Sequence, residues 1–110
     1  MLSRNMRLTK NRDVKRVLQK GTRVSAEGLK ITYLRTTFQR PRFTVVISAK
    51  TNKLATIRNR AKRQVRAVLR VFASEHPDYS IDAVVVINQI NTRVDLALAI
   101  DQILQKITPK

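Results

Sequence analysis

Residues 53–72, KLATIRNRAKRQVRAVLRVF, carry two superimposed periodicities. Ala61, Val65, Val68, Leu69 and Phe72 recur at helical spacing and form one apolar stripe. Arg58, Lys62, Arg66 and Arg70 recur every fourth residue on another side, with Asn59 and Arg63 beside them. The pattern predicts an amphipathic helix of about four turns or more, apolar stripe inward and cationic face outward. No acidic residue lies between Lys53 and Phe72, so like charges at i,i+4 repel unrelieved, at roughly 0.2–0.5 kcal/mol per exposed pair. A merely solvated helix face usually mixes the two signs. A face kept single-signed at that cost points to a polyanion opposite it.

The rest of the chain repeats the asymmetry. The net charge is +16 over 110 residues, but Met1–Arg70 holds 20 Lys or Arg against Asp13 and Glu27 alone, whereas Val71 onward holds three against five acids. One part of the molecule is suited to a polyanion, of which nucleic acid is the commonest, and the other is ordinary. Arg outnumbers Lys 14 to 9, and its planar fork suits phosphate oxygens. An anionic membrane surface would call for aromatic anchors, and the chain has no Trp and three Phe. Apolar residues make up 43 %, enough for a core in a single domain spanning 1–110, with residues 1–7 expected to be flexible. Without cysteine there is neither a disulfide nor a thiolate metal site. No apolar run approaches a membrane span, and the basic N-terminus lacks the apolar segment of a secretory signal, so a cytoplasmic protein is expected.

On the N-terminal side of the central stretch, Asn11 is the expected cap of a helix over 12–20, with Val14, Val17 and Leu18 apolar, Asp13 in its first turn, and Arg12, Lys15, Arg16 and Lys20 on its other side. Gly21 is expected to end it in a left-handed conformation. Alternation predicts a strand over 29–35 with Leu29, Ile31 and Tyr33 on one face, and a second over 43–48. The intervening residues 36–42 read as a hairpin connection, with Phe38 a candidate for base stacking. A basic loop with Lys50 and Lys53 leads to the central helix, for which Thr56 is the expected cap and Phe72 or Ser74 the end, since His76-Pro77-Asp78 cannot prolong it. On the C-terminal side, Asp82 introduces AVVVI, an interior strand covered on both faces. Thr92 is the expected cap of a last helix, with Asp95 three places on and Leu96, Ala99, Ile100, Ile103, Leu104 and Ile107 buried. The fold class is α+β, in the order α-β-β-α-β-α with one further short strand around 23–25. Three helices pack against a sheet of about four strands in a two-layer α/β sandwich.

Catalytic chemistry is poorly represented. The seven carboxylates are scattered, and the single histidine, His76, lies beside Pro77 in a turn, where a solvated imidazole is the commoner reading. No metal-ligand cluster, glycine-rich phosphate loop or nucleophile–base spacing is recognisable. The sequence advertises binding: the cationic helix face, the Lys50/Lys53 loop, and the first helix with the nearby sheet edge carrying Arg40 and Arg42.

Residues 48–66, SAKTNKLATIRNRAKRQVR, resemble the bacterial ribonuclease P protein component, whose signature is a basic Ser/Lys/Lys loop, an Ala, then Arg-Asn-Arg, one residue, (Lys/Arg)-Arg and an Arg one turn later. The resemblance extends over about residues 8–107, through Arg12-Asp13-Val14 to Gly21 and Arg23 and on to Asp82–Ile87. It implies an α/β sandwich with a left-handed β-α-β crossover, although right-handed connections dominate generally. It also implies a function: binding one large catalytic RNA, whose holoenzyme removes the 5′ leader of precursor tRNA. The RNA holds the catalytic Mg2+, and the protein has no catalytic residue, no metal site and no obligate protein partner.

Carried over by position, Arg58, Asn59, Arg60, Lys62, Arg63, Arg66 and Arg70, with Lys50 and Lys53, face the catalytic RNA, while Arg12, Val14, Lys15, Val17, Leu18 and Tyr33 fall where the family builds its leader cleft. Asn59 either meets RNA or fixes the backbone at the helix start, and Arg60, near the apolar sector, is a candidate for a structural role. Val14 and Leu18 depart from the family's usual Phe at the first and frequent Phe at the second, Ala49 from a usual Lys, Ala67 from a usual Glu and Asn88 from a common basic residue. An aliphatic side chain cannot stack a base, a contact worth roughly 1–3 kcal/mol. The competing function is a ribosomal or assembly protein that binds structured rRNA with no catalytic partner; composition alone favours it, and the Arg58-Asn59-Arg60 motif favours the first.

Overall fold

An unbroken apolar run from Ala83 to Ile87 demands cover on both faces, and in the computed structural model of the chain it has that cover. The described residues are 11–26, 28–36, 40–47, 50–51, 53–90 and 95–107; the expectations for residues 1–7, Phe38, Ala49 and Thr92 lie outside them. The elements are α1 (Asn11–Lys20), β1 (Thr22–Ala26), β2 (Leu29–Arg35), β3 (Arg42–Ile47), α2 (Ala55–Glu75), β4 (Ile81–Ile87) and α3 (Leu96–Ile107). The sheet order is β1-β2-β4-β3. β4 pairs antiparallel with β2, Leu29 opposite Ile87 and Arg35 opposite Ile81, and parallel with β3, Arg42 opposite Asp82 and Ile47 opposite Ile87.

The order corrects one sequence expectation. Residues 36–42 do not close a hairpin between β2 and β3, because β4 lies between them. The hairpin joins β1 to β2, with Val24 opposite Ile31, and Gly28 supplies its positive φ of 88°. Gly21, by contrast, is not left-handed; Gly28 is the glycine that is. What position 21 requires is space, since a Cβ there would lie 2.5 Å from the Val17 carbonyl oxygen and 2.7 Å from that of Tyr33.

Alternation along β4 divides the core. Ile81, Ala83, Val85 and Ile87 join Leu29, Ile31, Phe43 and Val45 beneath α2 and α3. From α2 come Ala61, Val65, Leu69 and Phe72, and from α3 all six residues of the expected stripe. Each fully buried aliphatic or aromatic side chain of this kind contributes about 1.5–3 kcal/mol. Phe72 meets Phe43 edge-on at 6.1 Å, and Tyr79 donates a 2.6 Å hydrogen bond to the Ile107 carbonyl, tying the end of α3 to the segment before β4. Burial holds the Tyr79 hydroxyl above its ordinary pKa.

The sandwich layer is thus the sheet with α2 and α3. α1 lies on the other face, where Val17 and Val84 form a small separate cluster with Val14, Leu34 and Val86 around them.

Helix starts also differ from expectation. Leu54, extended at φ −85° and ψ 118°, precedes α2 with no side-chain cap, and Thr56 is inside the helix. At α3 the cap is Asp95 itself, whose Oδ1 accepts from the Leu98 amide at 3.1 Å.

Candidate nucleic-acid interface

The 3.6-residue period that buries Ala61, Val65, Leu69 and Phe72 leaves the remaining arc of α2 to solvent. Asn59, Arg60, Arg63 and Arg70 are exposed there, and Lys62 and Arg66 half-buried at its edge, where aliphatic stems cover apolar surface and the charged ends reach water. Among the described residues none of Arg60, Lys62, Arg63, Arg66 and Arg70 forms an ion pair. The face is therefore a row of uncompensated cations on a rigid helix.

Arg58 differs from its neighbours. It lies three residues before Ala61, so it continues the buried stripe toward the helix start. Its guanidinium turns back to donate to the Lys53 carbonyl at 3.2 Å, and its amide donates to the Leu54 carbonyl. The arginine with a visible structural task is thus Arg58, whereas Arg60, the sequence-based candidate for that role, is exposed. Lys50 and Lys53 are exposed in the loop before α2.

On the α1 side of the sheet the cover is partial. α1 packs over β2 and β4 and leaves the outward positions of β3 open: Val46 is 45 % exposed and Thr44 half-buried. Leu18 of α1 is also exposed, Val14 is half-buried, and Val17 is sealed against Val84. Val46 pairs with Val86, which belongs to the α1-side cluster, so an apolar strip runs from α1 to the sheet edge. Arg12, Lys15 and Lys20 are exposed on α1.

Tyr33 is not in this cleft. It packs with the α2/α3-side cluster, because successive strand residues face opposite ways. The β2 residue before it, Thr32, does lie on the α1 side, as does Leu34; Thr32 is 2 % exposed, and its Cγ2 is 2.9 Å from where a Gly21 Cβ would be. Assigning Tyr33 to the cleft was a one-residue register error.

Sequence reasoning also missed a charge network. Arg42 grips Asp82 with both prongs of its guanidinium, Nε to Oδ1 at 2.8 Å and a terminal nitrogen to Oδ2 at 2.6 Å. Asp82 is fully buried, so it is no mere strand-leading residue. Arg42 also approaches Asp13 at 3.8 Å, and Asp13 takes a 3.0 Å contact from Arg16. The Asp82 hydrogen bond, reinforced by both carboxylates' charge and opposed by burial, raises the Arg42 pKa.

The opposite side of the molecule carries the other sign. A groove of about 600 Å³ between α2 and α3 has Val68, Val71 and Leu98 in its walls and Glu75, Asp95 and Asp101 among its lining residues.

A cationic helix beside a half-covered sheet defines a small basic α+β protein with a face suited to a polyanion. The family model for Ribonuclease P matches residues 2–108. The Ribonuclease P protein component of Pseudanabaena is 38 % identical over 81 residues, 71 % of this chain and 68 % of that protein. That of Syntrophomonas wolfei is 35 % identical over 75 residues, 68 % of this chain and 62 % of its own length, so the match spans less than two thirds of that relative. The RNase P protein of Thermotoga maritima superposes with a TM-score of 0.76 at 24 % identity, covering 93 % of this chain and all of that one. A Staphylococcus aureus RNase P protein mutant gives 0.75 at 24 %, covering 93 % and 84 %. The solved structures carry the fold, and the family match carries the kinship. The chain belongs to the ribonuclease P protein component family.

Proposed function

We propose that this chain is the accessory protein subunit of the ribonuclease P ribonucleoprotein, assisting endonucleolytic removal of the 5′ leader from precursor tRNA. The observation that carries the reading is the α2 face: Arg60, Lys62, Arg63, Arg66 and Arg70 form a single-signed row with no ion pair among the described residues, within and beyond the Arg58-Asn59-Arg60-x-Lys62-Arg63 motif. Such a face binds phosphates and releases their counterions, which lets RNA strands that repel one another converge. In this assignment Arg60, Lys62, Arg63, Arg66 and Arg70 contact the catalytic RNA, with Lys50 and Lys53 at the helix start. Arg58 positions that start, and Asn59 lies on the exposed arc beside it.

The strip between α1 and β3 is the place for the leader. Val14, Leu18, Thr44 and Val46 offer shallow apolar contact, and Arg12 and Lys15 supply charge for the leader's phosphates. With no aromatic ring among these residues, leader grip rests on apolar contact and phosphate attraction rather than base stacking. Mg2+ belongs, on this reading, with the RNA. Among the described residues no group of three carboxylate or imidazole side chains is placed to hold a metal, and no protein site is assigned to the ion. Also among these residues, no helix is long and apolar enough to cross a membrane.

The test is cleavage of precursor tRNA by the cognate catalytic RNA at low Mg2+, with and without the protein. Correct 5′ cleavage that requires the protein is expected. Tight binding to structured RNA without any stimulation would overturn the proposal in favour of a ribosomal or assembly role.

A further inference from the structure

α1 has only ten residues, too few to hold a helix by itself, so whatever seats it on the sheet decides where the cleft wall stands. Its apolar seat is small: Val17 is the one fully buried α1 side chain, resting on Val84. Half-buried Val14, Leu34 and Val86 surround that contact, and an ionic network adds to it. Arg42, on β3 at the cleft floor, fixes its guanidinium plane by the two-pronged bond to Asp82 on β4 and aims a third nitrogen at Asp13 on α1. Arg16 closes the ring from the helix side, 3.0 Å from Asp13 and 4.0 Å from Asp82. Two arginines and two aspartates cancel, so this corner attracts no phosphate strongly.

We propose that Arg42 is a positioning residue that sets the distance between α1 and the open edge of β3, and through it the grip on the leader; this rests on the leader-cleft reading above. A planar fork is needed because one group must face two carboxylates on different elements while keeping a fixed orientation, which a lysine ammonium does not do. Asp13, which reads from sequence as a helix-dipole residue, is the point at which the network holds α1. Arg16 is committed to Asp13, which leaves the leader's phosphates to Arg12, Lys15 and Lys20.

The experiment compares holoenzymes carrying wild-type protein, Arg42→Lys, Asp13→Asn or the control Asp101→Asn on α3. Each is measured for affinity toward precursor tRNA with a long leader or a one-nucleotide leader, and for affinity of the protein for catalytic RNA alone. Both network variants are expected to lose about tenfold on the long leader, the loss of one charge-assisted hydrogen bond. They should stay within about twofold on the short leader and on the RNA alone, with the control unchanged throughout. Equal loss on both leaders, or undiminished long-leader affinity, would overturn the proposal. If Arg42→Lys fails to fold, Asp13→Asn decides the matter, because it leaves the Arg42–Asp82 pair in place. A wild-type holoenzyme indifferent to leader length would overturn the leader-cleft reading and this proposal together, and the wild-type value alone separates that outcome from failure of the positioning role.

Discussion

Replacing Arg63, Arg66 and Arg70 together with Ala separates what the cationic face does for binding from what it does to the helix. On the structure these side chains lie on the outer arc of α2 with no ion-pair partner among the described residues. If each meets one phosphate, their loss removes three counterion-releasing contacts, and the slope of log affinity against log salt falls by about 2 to 3. Between about 50 and 200 mM salt the variant should then lose some 20- to 40-fold less affinity for the catalytic RNA than wild type does. Stability should move the opposite way. The substitutions relieve like-charge pairs of 62 with 66, 66 with 70, 60 with 63 and 63 with 66, at roughly 0.2–0.5 kcal/mol each. Partial burial of the Arg66 stem offsets some of that gain, leaving a net stabilisation of about 1 kcal/mol. The assays are filter binding or anisotropy across a salt series, and urea unfolding of the free protein. An unchanged salt slope would refute the phosphate assignment. A variant less stable than wild type would refute the claim that the face is uncompensated.

Gly21→Ala weighs two opposed effects. Reduced freedom of the unfolded chain favours Ala by about 0.4–1 kcal/mol, but the new Cβ meets two backbone carbonyl oxygens that cannot rotate away. A net loss of about 2 kcal/mol is expected in urea unfolding, and Gly21→Asn should be worse still, whereas a left-handed site would tolerate Asn. Tyr79→Phe removes the bond to the Ile107 carbonyl, costing about 1 kcal/mol at neutral pH. Because the folded hydroxyl holds its proton above its ordinary pKa, wild-type stability is fully present below about pH 10 and declines as the unfolded chain ionises above it. The gap between wild type and Tyr79→Phe should therefore narrow as the pH rises above about 10, as denaturant titrations at each pH would show.

Local periodicity made most of the elements legible. The stripes of α2 and α3 and the apolar run of β4 each announce their own burial, and the structure buries the same residues except Val68 and Val86, which are half-buried. The single-signed arc of α2 was legible for the same reason, since a helix turns a spacing into a face. What sequence could not supply was anything that depends on which strands become neighbours. The expected β2–β3 hairpin failed because β4 enters between them. The Arg42–Asp82 pair joins residues 40 positions apart, and nothing local marks either as the other's partner. Tyr33 was misplaced by a single step in a period of two, the kind of error to which a strand with apolar residues on both faces is prone. The bond of Arg58 to the Lys53 carbonyl was not legible, because nothing in the spacing marks a backbone carbonyl as a cation's partner.

β4 is the last strand to leave the ribosome, yet it is the one that joins β2 to β3. Beyond the β1–β2 hairpin no sheet can close until Ile87 has been added, about 40 residues and roughly 2–8 s of synthesis after β3 is complete. During that interval β3 lacks its pairing partner, and closure of the sheet is necessarily nonlocal. The chain's charges repel one another and are drawn to whatever RNA lies nearby. The strand order thereby leaves most of the chain's positive charge synthesised before its sheet has an opportunity to close.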